Sequence, residues 1–408
     1  MTAARPAPEV TEAPEVTKVT EPAADAADRP VPDPRTARLA RTLLDHSLGV
    51  RSGETVLIRS TGPAGEPLVR ELYARCLSRG ALPSVYIHLA DEDDLVLSAT
   101  RDRRLHRRAD PMLVHLYDTA DAVVRIEAED NPFALRERPP GDQEARQESR
   151  FSLIHQQLRR LAAGTLRRCT THYPTDGYAR QAGLTTAAYT DLVHRVMLTD
   201  TEDPVRAWRH VRARQQRIAD RLAGAEHLHV LGGDVDLRMS LRGRPVDNCC
   251  GRENLPDGEL CLAPLEDSVR GWVRASGPAY LHDTEVRDLQ VWFEGGRVVR
   301  WECSSGAQQV AAALAVDDAA GRIGEIGFGL NDRVGRPVGY SLVDTKAAGR
   351  MSVSLGQGHT PTGSANHSPV HWTFPVDLRS GSMVTADGDH VLHDGLPDPS
   401  RWEPEPWR

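Results

Sequence analysis

Apolar and polar residues alternate strictly in a segment near the C-terminus of the chain. The apolar set is Val370, Trp372, Phe374 and Val376, and the polar set is His371, Thr373, Pro375 and Asp377. A period of two with bulky apolar residues on one side predicts a half-buried strand. His371 then stands on a polar surface as a candidate functional residue. The alternative is a partly buried histidine that is hydrogen-bonded to the backbone.

Two further segments alternate in the same way, and each carries one carboxylate among its polar positions. In the first segment, Glu259 is predicted on the strand face opposite Leu260 and Leu262. In the second, Glu325 is predicted on the face opposite Ile326, Phe328 and Leu330. Glycines beside Glu325 leave room for a ligand or another backbone to approach. Because a carboxylate is costly to bury without a cation, we expect each one to bind a metal ion or an arginine.

The N-terminal half has a different pattern, in which helical stripes alternate with short strands. Leucine stripes at helical spacing end at Gly49 and Gly80, and strands are predicted over residues 55–59, 84–88 and 122–126. Strands that alternate with helices predict a parallel sheet with right-handed crossovers. A polar helix over 204–224 then leads into β-rich sequence. The predicted fold class is α/β, with an N-terminal parallel-sheet domain over 35–203 and a β-rich α+β metal-site domain over 204–408.

Residues 1–34 are rich in Ala, Pro, Glu, Thr and Asp and contain almost no large apolar side chain. Such a segment buries too little surface to offset the entropy of ordering it. We therefore predict a disordered tail before the first domain.

Composition limits the function classes. Apolar residues make up 39% and charged residues 26% of 408 residues, which is typical of a globular protein that acts in water. The net charge of −8 weighs against nucleic acid and anionic membranes as partners. No apolar leader or 18-residue apolar run is present, and the six cysteines form no CxxC pair, so we expect a cytoplasmic protein with free thiols.

Histidines are dense just before the C-terminal strand. His359, His367 and His371 fall within 13 residues, a density that suits metal binding. Together with Glu325, His359 and His371 would form a set of two imidazoles and one carboxylate. Glu259 would be a fourth ligand or a general base.

Three blocks of the sequence resemble the thermophilic metallo-aminopeptidase family, the aminopeptidases T and S. Residues 254–268 (NLPDGELCLAPLEDS) are similar to its N-x-P-x-G-E-V-x-x-A-P-x-E-D-S block, residues 324–331 to its G-E-x-x-x-G-x-N block, and residues 366–379 to its N-x-S-x-x-H-x-D-x-x-x-D-L-R block. The blocks occur in order with compatible spacing. The similarity runs from about residue 36 to the end.

The resemblance implies a fold, a site and a homodimer. Enzymes of this family hold two divalent metals with two Glu, two His, a Tyr and an Asp. Glu259, Glu325 and His371 match the two Glu and the second His. The other three positions differ: Ser352 replaces the first His, His359 the Tyr and Thr373 the Asp. Since hydroxyls are poor ligands for divalent ions at neutral pH, we predict an altered site with one metal.

The expected function is hydrolysis of a peptide or amide bond, with a peptide or another small molecule as substrate. One zinc, cobalt or iron ion would be held by Glu259, Glu325, His359 and His371, and Glu259 or Glu325 would move the proton. Two alternatives stay open. One is a mononuclear non-haem iron dioxygenase, since the fold also resembles the dihydroxypyridine dioxygenases, although Thr373 breaks their H-x-D pattern. The other is an inactive, peptide-binding member without a metal.

Overall fold

Helices and strands alternate along the first half of the chain, and strands dominate the second. The computed structural model describes residues 33–132, 134–135, 138–281 and 284–397. The predicted tail over residues 1–34 therefore lies outside the described residues, apart from its last two. The α-helices of the described residues are α1 (Pro34–Thr42), α2 (Glu66–Ser78), α3 (Glu92–Ala99), α4 (Arg103–His106), α5 (Pro111–Thr119), α6 (Pro140–Ala162), α7 (Asp176–Gln181), α8 (Thr186–Val196), α9 (Pro204–Leu222), α10 (Ala307–Leu314) and α11 (Ser341–Asp344).

The strands fall into four sheets. In chain order they are β1 (Thr55–Ser60), β2 (Leu82–Ile87), β3 (Ala122–Glu127), β4 (Arg167–His172), β5 (Leu228–Gly232), β6 (Val235–Met239), β7 (Asp247–Cys249), β8 (Asn254–Leu255), β9 (Glu259–Leu262), β10 (Arg270–Arg274), β11 (Ala279–Leu281), β12 (Thr284–Val286), β13 (Gln290–Glu294), β14 (Arg297–Glu302), β15 (Ile323–Gly329), β16 (Arg350–Gly356), β17 (His371–Asp377), β18 (Met383–Ala386), β19 (Asp389–His393) and β20 (Leu396–Pro397). Among the described residues, no helix is long and apolar enough to cross a membrane.

The N-terminal sheet is parallel, with the strand order β2-β1-β3-β4-β8. The parallel sheet predicted from the alternating pattern is confirmed, and it contains all three predicted strands. The two strands that the pattern did not predict are β4 and β8. Strand β8 pairs Asn254 with Thr170 of β4. The chain therefore returns to the N-terminal sheet a few residues before it reaches Glu259.

Helices α1 and α2 bury most of the predicted leucine stripes, although Leu77 is 53% exposed. Leu39 and Leu68 have no exposed surface, and both stripes end at glycines, Gly49 and Gly80, whose φ angles are +57° and +73°. Those left-handed conformations favour glycine and stop the helices. After α1 the chain makes one π-helical turn before Gly49.

Helix α9 links the two halves. Its N-terminus is capped by Asp203, whose side chain accepts a hydrogen bond from the Arg206 backbone N–H. Trp208 of α9 packs into the core of the N-terminal half, and Ile218 packs into the core of the C-terminal half. The predicted domain boundary at 203/204 stays a prediction.

Strands β11 and β12 form a separate two-stranded sheet. Two large antiparallel sheets make up most of the described C-terminal half, as its β-rich sequence predicted. One has eight strands in the order β14-β13-β10-β6-β5-β18-β19-β20, and the other has five in the order β17-β16-β15-β9-β7. We name the five-stranded sheet the site sheet. Apolar residues of both sheets, such as Val230, Leu237, Ile326 and Phe374, share one buried core. The opposite face of the site sheet carries its polar residues.

Candidate metal centre on the site sheet

The strand register places the candidate residues on one face of the site sheet. Gly327 of β15 pairs with Cys261 of β9 and with Ser352 of β16, and Glu259 pairs with Cys249 of β7. Side chains of directly paired residues point to the same face. This face, which we name the polar face, carries Asp247, Cys249, Glu259, Cys261, Glu325, Ser352, Ser354, His371 and Thr373.

The three alternating segments lie in the sheet as predicted. Leu260, Ile326 and Phe374 are fully buried in the core on one side. His371 lies on the other side and is exposed, and its Nδ1 is 3.4 Å from the Gln357 carbonyl oxygen. The period-two interpretation is therefore confirmed for all three strands.

Glu259 lies against a buried lysine. Lys346 Nζ contacts Glu259 Oε1 and lies 3.7 Å from Asp257 Oδ1. Without a metal, this carboxylate was expected to pair with an arginine. The structure shows that its partner is a lysine. Although burial alone lowers the pKa of Lys346, the charges of Glu259 and Asp257 hold it well above its usual value. Burial also raises the pKa of Asp257 to about 7.

The second oxygen of Glu259 has no such partner. Glu259 Oε2 is buried without a hydrogen bond. Next to it is Gly327, where an added Cβ would lie 3.0 Å from Oε2 and 2.5 Å from Ser352 Oγ. A buried acceptor without a donor calls for an explanation, and a bound ion is one. The orphaned oxygen and the glycine cradle together fit a cation beside Glu259.

Two thiols stand beside the same carboxylate. Cys249 Sγ lies 3.5 Å from Cys261 Sγ, and the ligand atoms of Cys249, Glu259 and Cys261 lie within 4.8 Å of one another. Two sulfurs bound to one tetrahedral zinc at Zn–S distances of ~2.3 Å are separated by ~3.8 Å. The spacing of the thiols is therefore close to that of a zinc-bound pair.

A second donor group shares Cys249. Asp247 Oδ2 lies 2.7 Å from His359 Nε2, and the ligand atoms of Asp247, Cys249 and His359 also lie within 4.8 Å of one another. Burial lowers the pKa of His359, but the hydrogen bond with Asp247 and the nearby charges of Glu325 and Asp247 outweigh it and raise the pKa above its usual value. A carboxylate that fixes an imidazole in this way is a common feature around metal ligands.

The four residues predicted to hold the metal are not all members of the two donor groups. The predicted set is Glu259, Glu325, His359 and His371. Among the described residues, Glu259 and His359 belong to the two donor groups, whereas Glu325 and His371 belong to neither. Glu325 is half-buried, and its charge raises the pKa of both His359 and Cys261. The convergence of Glu325, His359 and His371 on one ion stays a prediction.

The polar face differs in its residues from the two-metal site that the resemblance implied. Ser352 faces Gly327, and Thr373 Oγ1 lies 2.7 Å from Ser354 Oγ, so hydroxyls occupy the positions of the expected His and Asp. One oxygen of Glu259 is occupied by Lys346. The number of ions that the polar face holds stays a prediction.

Sequence reasoning did not identify Asp247, Cys249, Cys261 and Lys346 as members of the site. Cys261 lies two residues after Glu259 in the same strand, so the two side chains point to the same face. This spacing could have placed the thiol on the polar face. Lys346 opens the K-x-x-G-x-x-S segment that ends at Ser352. No local pattern marks β7, since three residues are too few to show a period.

The polar face thus carries two groups of side chains that could hold a metal ion. The chain belongs to the thermophilic metalloprotease (M29) family, whose model matches residues 33–392. It is 30% identical over 243 residues to aminopeptidase T of Thermus thermophilus, which covers 52% of this chain and 58% of that protein. It is 25% identical over 248 residues to aminopeptidase 2 of Geobacillus stearothermophilus, which covers 51% and 56%. The matched region therefore spans a little over half the length of these relatives.

Solved structures show the same fold over a longer range. Wild-type AmpT from Thermus thermophilus superimposes with a TM-score of 0.76 at 21% identity, covering 89% of this chain and 99% of that one. A 2,5-dihydroxypyridine dioxygenase from Pseudomonas putida KT2440 superimposes with a TM-score of 0.58 at 16% identity, covering 92% and 99%. The predicted resemblance to both groups and the predicted fold class are confirmed.

Proposed function

We propose that this protein is a metal-dependent hydrolase that cleaves a peptide or amide bond with one divalent ion. Membership of a metalloprotease family supports the reaction class. The observation that carries the altered site is the buried Glu259 Oε2, which lacks a hydrogen bond, on a carboxylate that has an oxygen within 4.8 Å of the thiols of Cys249 and Cys261.

Cys249, Glu259 and Cys261 would hold the ion. Three protein ligands would leave room for the substrate to bind the ion, as catalytic zinc sites do. Two sulfur ligands favour zinc or cobalt over magnesium or calcium. When bound, a divalent ion supplies Lewis-acid polarisation of the amide carbonyl.

Other residues of the polar face perform the remaining tasks. Lys346 holds the Glu259 carboxylate in place through Oε1, and Oε2, which has no hydrogen bond, would be available to hold the ion. Glu325 is half-buried, and no hydrogen bond or ion pair engages it among the described residues. It is therefore free to take a proton from water and deliver it to the leaving amine, the role of a general base and acid.

Metal analysis of the whole chain, purified without chelator, tests the proposal. We expect one zinc or cobalt ion per chain. Cys249→Ser should lose the ion, whereas Glu325→Gln should keep the ion and lose hydrolysis of amino-acid amides. Cys303→Ser is the matched control, because Cys303 lies on neither donor group.

Replacement of His371 distinguishes the proposed thiol ligands from the metal ligands predicted by sequence. If the ion depends on Glu325, His359 and His371, then His371→Ala should release it and Cys249→Ser should not. That result would replace the thiol ligands with the sequence-predicted ones. Two ions in the unaltered protein would overturn the single-metal proposal altogether.

The alternatives predict different metal contents. One iron per chain, with oxygen uptake on a dihydroxypyridine, would indicate the dioxygenase. A chain that binds a peptide but takes up no ion would indicate the inactive, peptide-binding member. We also propose a cytoplasmic homodimer with a peptide-like substrate, in line with the family resemblance. A monomer mass in solution would reject the dimer.

A further inference from the structure

We propose that the N-terminal sheet carries a second ligand site, which binds the carboxylate or phosphate group of a small organic molecule. The site lies on a different sheet from the candidate metal centre and does not depend on the proposed hydrolase. The strand order β2-β1-β3-β4 reverses between β1 and β3. Open α/β sheets bind ligands in the crevice at the carboxyl ends of the strands at such a switch point.

A cavity of about 540 Å³ lies at this edge of the sheet. Its lining includes Thr61, just after β1, His88, just after β2, and Glu129, shortly after β3. The volume falls within the range of small-molecule pockets, which is roughly 300–1,000 Å³. The crevice expected from the strand order is therefore present.

Three arginines project from one face of the sheet into this cavity. Arg59 of β1 is paired directly with Arg125 of β3. Arg168 of β4 pairs with Val123, two residues before Arg125, so it stands on the same face. Neighbouring strands lie ~4.8 Å apart, and like charges side by side are destabilising. An anion bound between the guanidinium groups would relieve this repulsion.

The three arginines have few acidic partners. Arg59 donates hydrogen bonds to an imidazole and a phenol, at 3.0 Å to His88 Nε2 and 3.3 Å to Tyr117 Oη. Arg125 has one carboxylate, Glu127 Oε1, at 3.0 Å. Arg125 Nε and Arg168 Nε are buried without a hydrogen-bond partner. Unpartnered buried donors on two adjacent guanidinium groups fit an oxyanion acceptor.

Three carboxylates elsewhere in the cavity wall are already engaged. Asp93 binds Arg146 and Arg150, each at 2.7 Å. Glu92 lies 2.8 Å from His88 Nδ1, and Asp110 accepts a hydrogen bond from Tyr86 Oη at 2.6 Å. Compensation of the three arginines is therefore left to Glu127 and Glu129, whose two negative charges both act on Arg125 and are fewer than the three positive ones.

The remaining wall suits the organic part of a ligand. Leu113, Leu153 and Ile154 line the cavity together with the arginines. Guanidinium groups bind carboxylates and phosphates through paired hydrogen bonds, and apolar side chains around such a cluster bind carbon skeletons. A small organic acid or a phosphate ester fits both features.

Calorimetric titration of the whole protein with inorganic phosphate, and separately with acetate, tests the site. We expect at least one of the two to bind, and the tighter one identifies the group. Arg168→Met should weaken binding roughly tenfold or more, which corresponds to about 1.4 kcal/mol. Arg150→Met is the matched control, because Arg150 lines the same cavity but is paired with Asp93; we expect its affinity to change less than about twofold. Chelator-treated protein should bind equally well, which separates this site from the metal centre.

Thermal unfolding without added oxyanion provides a second measurement. If Arg168 serves to bind a ligand, then Arg168→Met should melt at the same temperature as the unaltered protein or higher, because the variant lacks one of three neighbouring positive charges. A lower melting temperature together with unchanged phosphate and acetate binding would assign Arg168 a structural role and overturn the proposal. No binding of either anion at roughly 10 mM, a concentration at which even a weak millimolar site would be mostly filled, would also overturn it.

Discussion

Lys346 lies in contact with Glu259, although the two residues are 87 positions apart in the chain, and their side chains are only 6% and 8% exposed. Asp257 Oδ1 lies 3.7 Å from the same ammonium group. One cation thus faces two buried carboxylates. Burial of an uncompensated carboxylate is costly, so either Asp257 is protonated or a second cation completes the charge balance. The orphaned Glu259 Oε2 supports the second cation.

Replacement of the lysine should expose this charge relationship. We expect Lys346→Met to lower the free energy of unfolding by ~3–5 kcal/mol in the presence of chelator, because it leaves buried carboxylates unpaired. Urea denaturation with and without zinc would measure the loss, and zinc should recover part of it.

The control for this change is an exposed ion pair. Arg70 pairs with Glu66 on α2, with side chains that are 63% and 51% exposed. Arg70→Met should cost less than about 1 kcal/mol. Equal losses for Lys346→Met and Arg70→Met would contradict the view that Lys346 balances buried charge.

The two thiols of the site should be linked by oxidation when no metal is bound. Diamide should take two electrons and two protons from Cys249 and Cys261, whose sulfurs are 3.5 Å apart, and leave a disulfide that lowers the protein mass by about 2 Da. Bound zinc should protect the pair. Cys303→Ser should change nothing, whereas Cys249→Ser should abolish the reaction.

The rate of this oxidation should depend on pH. The contact with Cys261 lowers the pKa of Cys249, but burial and nearby carboxylates outweigh it and raise the pKa to about 12. Since the thiolate is the reacting form, the rate should rise about tenfold per pH unit between pH 7 and 9. A rate that does not change over that interval would show that neither thiol is protonated in the metal-free protein.

Local periodicity was sufficient to predict β9, β15 and β17 of the site sheet, but not β7 or the contacts between the strands. Leu260, Phe328 and Trp372 lie in long alternating segments, and each is buried as its position predicts. Strand β4 was missed because its sequence, RRCTTH, has only one apolar residue. Strand β8 was missed because two residues form it, and its pairing with Thr170 joins positions 84 apart. Such pairings depend on tertiary packing, which local propensity does not encode.

Gly327 provides a test of the space beside Glu259. A Cβ there would lie 2.5 Å from Ser352 Oγ and 3.0 Å from Glu259 Oε2. We expect Gly327→Ala to weaken zinc binding roughly tenfold, measured by competition with a chromophoric chelator, while overpacking costs ~1–3 kcal/mol in stability. Gly277→Ala is the control, since no atom lies within 4 Å of its added Cβ.

Adding Ser352→Ala to Gly327→Ala separates the two contacts. The double variant removes the closer contact but keeps the methyl group beside Glu259 Oε2. Zinc affinity should therefore stay low even as stability recovers. An affinity equal to that of the unaltered protein would mean that the ion does not bind at this carboxylate oxygen.

His172 should make the protein sensitive to acid. It is fully buried, its Nε2 lies 2.8 Å from Tyr189 Oη, and burial lowers its pKa to about 3. The unfolded chain, with a pKa near 6.5, binds a proton that the folded chain does not, so stability is full above pH 6.5 and falls as the pH drops toward 3. At pH 4.5 the loss should be on the order of 2–3 kcal/mol. The difference in unfolding free energy between pH 7 and pH 4.5 should be smaller for His172→Gln than for the unaltered protein. The exposed control His115→Gln should show the same difference as the unaltered protein.

The altered half of the polar face can be tested by restoring the residues that the family resemblance implies. Ser352 and Thr373 stand at the expected His and Asp positions, and both are on the polar face through pairing with Gly327 and Ser354. Ser352→His with Thr373→Asp would add one imidazole and one carboxylate there, which are ligands that divalent ions prefer to hydroxyls. We expect metal content to rise from one ion to two and turnover of amino-acid amides to increase. Either single change alone should leave the content at one, because one added donor does not complete a second site. Hydrolysis of these amides by the unaltered protein at ordinary enzyme rates, on the order of 10 per second, would contradict the altered-site proposal, since the two hydroxyl positions would then be compatible with full activity.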